Sequence, residues 1–240
     1  MSVIKKPRTV NNISQAVMEA RLKKMLDFRD EFLADVNNCH IKLQKGNDKT
    51  GEDCWTSSFI PVADCPNCSM CHLKCYDLRN DCWRPSVQKD RARNSAVHKV
   101  DPERYWYEVD ALVKANGVEE LRLNVGGDLT DQDFAYVSDL GQKNRNTLIL
   151  FFTKNYDGIN HFLDLHEFPE TVKALISRWE GMPCENPHNL PCSHVLWKNG
   201  STTAPSYGAY YCAGNCSECV IKGEGCWNLK KGEHVIFSAH

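Results

Sequence analysis

The stretch NTLILFFTKN, residues 146–155, is a continuous apolar run closed at both ends by polar residues. Side chains of a strand alternate between two faces, so such a run implies burial on both faces. That is the habit of a parallel sheet, whose strands are joined by helical crossovers. The flanking segments supply the crossovers. EELRLNVGGDL (119–129) alternates and ends in a glycine-glycine turn; TDQDFAYVSDLGQKN (130–144) has a helical stripe opened by Thr130 or Asp131. VDPERYWYEVDALVKANG (100–117) predicts a helix with Asp101 as N-cap, Pro102 in the first turn and Gly117 as the stop.

Residues 13–36 predict another amphipathic helix, and 44–54, polar and glycine-containing, a loop. SSFIPVADC (57–65) predicts a strand, and SHVLWKNG (193–200) a last one. YDGINHFLDLHEFP (156–169) fits a short helix or loop, and TVKALISRW (171–179) fits either strand or helix. The alternation over about 57–200 predicts an α/β fold, either a partial (β/α) barrel or an open parallel sheet with cysteine-rich metal-binding loops. Three regions follow: residues 1–50 as an N-terminal helix and loop, 51–200 as the α/β core, and 201–240 as a C-terminal cysteine-rich segment. In parallel sheets function gathers at the carboxyl ends of the strands. Those ends carry Cys65, then Gly126-Gly127-Asp128, then Thr153-Lys154, then Ser177-Arg178.

Thirteen cysteines stand in 240 residues, and nine of them fall into two groups. The first is Cys65, Cys68, Cys71 and Cys75, with Cys82 beyond; the second is Cys212, Cys216, Cys219 and Cys226. The first residues, MSVIKKPRTVNN, contain no apolar core of a secretion signal, and no apolar run is long enough to span a bilayer. The expectation is a cytoplasmic protein without a membrane partner, where clustered thiols bind metal or do redox chemistry. A net charge of -2 gives no global pull toward nucleic acid.

The first group is spaced C-x2-C-x2-C-x3-C. Only Ser69 and Met70 separate Cys68 from Cys71, so one tetrahedral zinc holding all four thiols would demand a cramped backbone. A [4Fe-4S] cluster presents four outward corners and suits a short peptide. The same spacing is the bacterial ferredoxin run, in which the fourth cysteine serves another cluster. Ferredoxins place proline next, whereas here Tyr76 follows. Cys212, Cys216 and Cys219 have the C-x3-C-x2-C spacing of radical S-adenosylmethionine enzymes, although near the C-terminus, and Cys226 offers a fourth thiol. Zinc fits this group better than the first, because Gly223 and Gly225 lengthen the excursion to Cys226. In either group the metal can serve the fold alone. Ordering a residue costs ~1–2 kcal/mol, and a structural zinc supplies ~10–16 kcal/mol.

DCPNCSMCHLKCY, LRLNVGGDLTDQDF, ILFFTKN, LISRWEGM and CAGNCSECVIKGEGCW together resemble the cysteine-rich phage proteins related to the mycobacteriophage gene-eighty-eight product. The resemblance implies a phage or phage-derived gene acting in a bacterial host, and a barrel-like fold akin to radical S-adenosylmethionine enzymes. Within it, Gly126, Gly127 and Asp128 fall where those enzymes bind the amino group of S-adenosylmethionine. Lys154, Ser177 and Arg178 fall where other strand ends meet that cofactor. Gly126-Gly127 also reads simply as a tight turn that needs glycine.

These observations give three functional expectations. The first is an intracellular iron–sulfur protein with one or two [4Fe-4S] clusters, acting in electron transfer or redox chemistry on an unknown small molecule or redox partner. Asp128, Lys154 and Arg178 would line its mouth as catalytic candidates. The second is a zinc-stabilised module that binds nucleic acid or protein, through the basic series Arg79, Arg84, Lys89, Arg91, Arg93 and Lys99. The third is a radical S-adenosylmethionine-like enzyme. Histidine-pair zinc motifs, phosphate-binding glycine loops and nucleophile elbows are missing from the sequence.

Overall fold

A computed structural model describes residues 13–47, 50–80 and 82–239. The first twelve residues, on which the expectation about secretion rests, lie outside them.

Among the described residues eight strands form one sheet: β1 (Gln44–Asn47), β2 (Gly51–Ser57), β3 (Glu120–Leu123), β4 (Leu148–Thr153), β5 (Val172–Ser177), β6 (Cys192–Leu196), β7 (Ala209–Tyr211) and β8 (His234–Ser238). Their order across the sheet is β1-β2-β3-β4-β5-β6-β8-β7. Among the described residues only the β1–β2 pair is antiparallel. The crossovers are α3 (Pro85–Val100) with α4 (Pro102–Ala115), then α5 (Asp133–Lys143) and α6 (Tyr156–Leu165). α1 (Gln15–Ala34) lies against α3 and buries Met18 and Met25. α2 (Tyr76–Asn80) follows the first cysteine group, and α7 (Cys216–Ile221) carries part of the second. The mixed α/β class and mostly parallel sheet match the sequence reading.

Alternation along the strands sorts two cores. Leu121, Leu123, Ile149, Phe151, Val172, Ala174 and Ile176 face Tyr105, Val109, Phe134, Val137, Ile159 and Phe162 of the helices. Cys54, Leu150, Leu175 and Val235 face the opposite way, against Trp227 and Leu229 of the C-terminal segment. That segment therefore covers the face left bare by the crossover helices.

The sheet curls around it. β2 and β7 are six strand steps apart, about 29 Å in a flat sheet at ~4.8 Å per step. Yet Ser217, six residues beyond the end of β7, donates its backbone N–H to Thr50 O at 3.0 Å, beside the start of β2. Six residues reach at most ~20 Å. The two margins must approach each other, leaving a trough that the cysteine-bearing segment fills.

Three local expectations change. Residues 44–54, expected as a loop, hold β1, an edge strand whose polar Gln44 and Lys45 suit solvent, and the start of β2. The strand expected at 57–65 ends at Ser57. Beyond it the chain crosses the strand ends, with Val62 in a left-handed conformation (φ 70) before the cysteines. The last expected strand is followed by two more, because 209–211 and 234–238 join the sheet. Asp101 caps α4 as expected, accepting from Arg104 N at 2.9 Å. α5 opens differently: Asp133 reaches back to Thr130 N at 2.8 Å.

Candidate metal centres

The two cysteine groups lie at different places. The first crosses the carboxyl ends of the strands. Asp128 N donates to Asp64 O at 2.9 Å, and Asn67 Nδ2 donates to Lys154 O at 3.1 Å, which ties this loop to the ends of β3 and β4. Cys65 and Cys68 line an open cleft of about 650 Å³ with Tyr156, Asp157, Met182 and Glu185. Cys68 Sγ and Cys71 Sγ are 3.9 Å apart. A hydrogen bond with Cys65, and to a lesser degree burial, pushes the Cys68 thiol up to about 11. Cys75 packs instead with Ile60, Leu78 and Cys82, and burial pushes its thiol up to about 12.

The other strand-end candidates meet at this rim, and most have structural partners. A Cβ on Gly126 would collide with the buried Asp77–Arg91 ion pair. Gly127 has φ 78, and a Cβ there would come within 2.7 Å of Phe59 Cβ. Asp128 is buried; its carboxylate accepts from Leu129 N at 2.8 Å and Lys154 N at 2.7 Å. Burial raises its pKa. Lys154 Nζ stands over the Trp179 ring at 5.4 Å. Ser177 O accepts from Tyr156 Oη at 2.7 Å. Arg178 N donates to Ser193 O at 2.9 Å, while its Nε is buried without a partner. Gly126, Gly127 and Asp128 thus have defined work in holding the rim.

The second group lies in the trough. β7 delivers Tyr210 and Cys212. Asn215 caps α7, accepting from Glu218 N at 3.1 Å, and α7 presents Cys216 and Cys219. A 3-10 turn over Gly225–Asn228 presents Cys226 and Trp227. All four cysteines line one small cavity of about 30 Å³, walled by Leu150, Phe152, Phe237 and Arg122. Arg122 Nη1 lies 3.7 Å from Cys216 Sγ, and Tyr210 Oη lies 3.6 Å from Cys226 Sγ. Burial, with neighbouring thiols, pushes Cys219 up to about 11 and Cys226 up to about 12. Cys54, fully buried on β2, belongs to the apolar cluster against which Cys216 packs and is itself pushed up to about 12 by burial.

No disulfide joins any of the 13 cysteines. Among the described residues no three or more His, Cys, Asp or Glu side chains are gathered as ligands of a metal ion. The donor set nevertheless fits a thiolate-bound metal. Each group offers several sulfurs, and the trough adds a guanidinium, an indole and a phenol around them.

Sequence reasoning missed Arg122, Tyr210, Trp227 and Cys54. One signal was available: Arg122 stands between Leu121 and Leu123 in a strand that needs both faces covered. The expected basic edge is not continuous. Arg91 is buried against Asp77, Arg93 lies over Phe32 at 4.9 Å, and Lys89 lies over Phe28 at 5.1 Å.

Fold and thiol groups define an α/β protein with a curled, mostly parallel sheet and a cysteine-lined trough. The chain belongs to the gene product 88 family, the phage family that its motifs resemble; the family match spans residues 32–182. It takes in the first cysteine group and stops before the second. No curated protein and no solved structure matches the chain. Among the described residues, no helix is long and apolar enough to cross a membrane.

Proposed function

We propose that the chain is an iron–sulfur protein that carries a [4Fe-4S] cluster in the trough and a second at the strand-end rim. Its role is electron transfer or redox-linked chemistry on a small molecule or redox partner that meets the rim cleft. The observation that carries this reading is the trough, where four cysteines converge with cationic and N–H donor groups. Cys212, Cys216, Cys219 and Cys226 would hold one cluster. Cys65, Cys68 and Cys71 would hold the other, with Cys75 as the remaining thiol. The clusters would supply one-electron chemistry. The chain shields the trough group with Leu150, Phe152 and Phe237, and opens the rim group to the cleft. Thirteen cysteines without a disulfide suit a reducing compartment such as the cytoplasm of a bacterial host.

Anaerobic purification tests this. The expected result is brown protein with broad absorption near ~400 nm, iron matched by acid-labile sulfide, and a paramagnetic signal on reduction. Colourless protein with stoichiometric zinc rejects it.

Two measurements favour zinc as a second reading. Bonds of ~2.3 Å in a tetrahedron put sulfurs about 3.8 Å apart, close to the 3.9 Å between Cys68 and Cys71. The trough cavity, about 30 Å³, also suits one ion better than a cluster. Under this reading the metals are structural and the protein is a binding module.

A further inference from the structure

The trough holds hydrogen-bond donors that its protein atoms leave unsatisfied. Trp227 is 3% exposed, and its indole Nε1 has no hydrogen-bond partner. It stands in the wall formed by Cys212, Cys216, Cys219 and Cys226. Arg122 Nε, in the same wall, is also shut off from solvent and without a partner. No carboxylate among the described residues forms an ion pair with this guanidinium. It reaches Cys216 Sγ at 3.7 Å, and the sulfurs of Cys216, Cys226, Cys54 and Cys212, once ionised, are the charges that act on it. The guanidinium also packs over Phe152 at 5.1 Å, which fixes it against the cavity. Buried donors ordinarily find acceptors, so two orphans in one wall point to an acceptor that occupies the cavity.

We infer that the trough is built for a dianionic, sulfur-rich centre, and that Arg122 and Trp227 are its positioning residues. The inference rests on the metal reading above. Four thiolates around a dipositive cluster core, or around one divalent ion, leave two negative charges. Arg122 offsets one of them, and both N–H groups donate to thiolate or sulfide sulfur. Such bonds stabilise the more negatively charged state, so they raise the reduction potential of a cluster. They also lower the energy of thiolate lone pairs on any metal. Tyr210, already directed at Cys226, is a third donor of the same kind.

Trp227→Phe removes the N–H and keeps the apolar ring. In the anaerobically isolated protein, the midpoint potential of the trough cluster is expected to move to a more negative value with iron content unchanged. Arg122→Met is expected to move it further, and Arg122→Lys, which keeps the charge, to restore part of the shift. If the wild-type chain holds zinc and no iron, the iron–sulfur reading fails, and the same variants are then read after cobalt substitution. The sulfur-to-cobalt charge-transfer band is expected to move to lower energy in Trp227→Phe. Metal-loaded Trp227→Phe and Arg122→Lys whose potential or band equals that of wild type would overturn the inference.

Discussion

Gly225 sits where the second cysteine group is tightest. Its φ is +74, and a Cβ there would lie 2.7 Å from Cys219 Sγ and 2.8 Å from Cys219 Cβ. Cys219 has no easy retreat. Its N–H donates to Asn215 O at 3.3 Å, and its carbonyl accepts from Glu224 N at 2.8 Å. Gly225→Ala therefore adds left-handed strain of ~1–2 kcal/mol and overpacking of ~1–3 kcal/mol. Gly208 provides the control, with φ +77 and nothing within 4 Å of its Cβ position. Gly208→Ala carries the strain alone. At ~2–4 °C per kcal/mol for a chain of this size, Gly208→Ala should lower the melting temperature by ~2–8 °C and Gly225→Ala by ~4–20 °C. Metal content should fall only in Gly225→Ala, because only there is a thiol displaced. Calorimetry with elemental analysis reads both quantities. Equal melting temperatures and equal metal content in the two variants would refute the geometry given for the trough.

The remaining expectations concern the thiol groups and two buried carboxylates. Cys216→Ser with Cys219→Ser should remove the trough metal and leave the rim group loaded, while Cys65→Ser with Cys68→Ser should do the reverse; metal per chain, measured by mass spectrometry, checks the independence. Arg91→Glu puts two carboxylates in one buried place and should destabilise by about 3–5 kcal/mol, read as a lower denaturant midpoint. Asp133, fully buried, accepts from His98 Nε2 and Trp106 Nε1 at 2.7 Å each, and from Thr130 N and Oγ1 at 2.8 Å each. Burial pushes its pKa up, but the His98 hydrogen bond and charge, with the Trp106 and Thr130 bonds, outweigh it and hold the value below the ordinary one. A depressed folded pKa stabilises the fold above the unfolded value, and that contribution fades as pH falls through the folded one. Asp133→Ala should accordingly lose about 3–5 kcal/mol near neutral pH, with the gap from wild type closing in acid.

Much of the sheet was legible in single segments. The 146–155 run is apolar on both faces, and Asp101, Pro102 and Gly117 bracket their helix with side chains whose preferences are local. Cysteine spacing likewise marked both thiol groups. Residues 57–65 misled because Phe59 and Ile60 bury into different cores as strand neighbours do, whereas Asp64 N donates to Ile60 O at 3.0 Å and closes a turn there. β1 gave no apolar alternation to read, since its edge position lets the polar Gln44 and Lys45 stay partly wet, and β2 buries Thr56 and Ser57, polar residues that periodicity does not mark as core.

The amino-acid order by itself determined the α/β class, the positions of the central strands, and two clusters of thiols. The curl of the sheet was decided only in three dimensions. It depends on β8 entering between β6 and β7, a pairing between segments some forty residues apart that leaves no short-range mark. That curl brings Arg122, placed by its strand's alternation, against Cys216 from ninety-four residues away. Periodicity and spacing are properties of neighbours along the chain, whereas the trough is made by parts of the chain that meet only when the sheet closes around them.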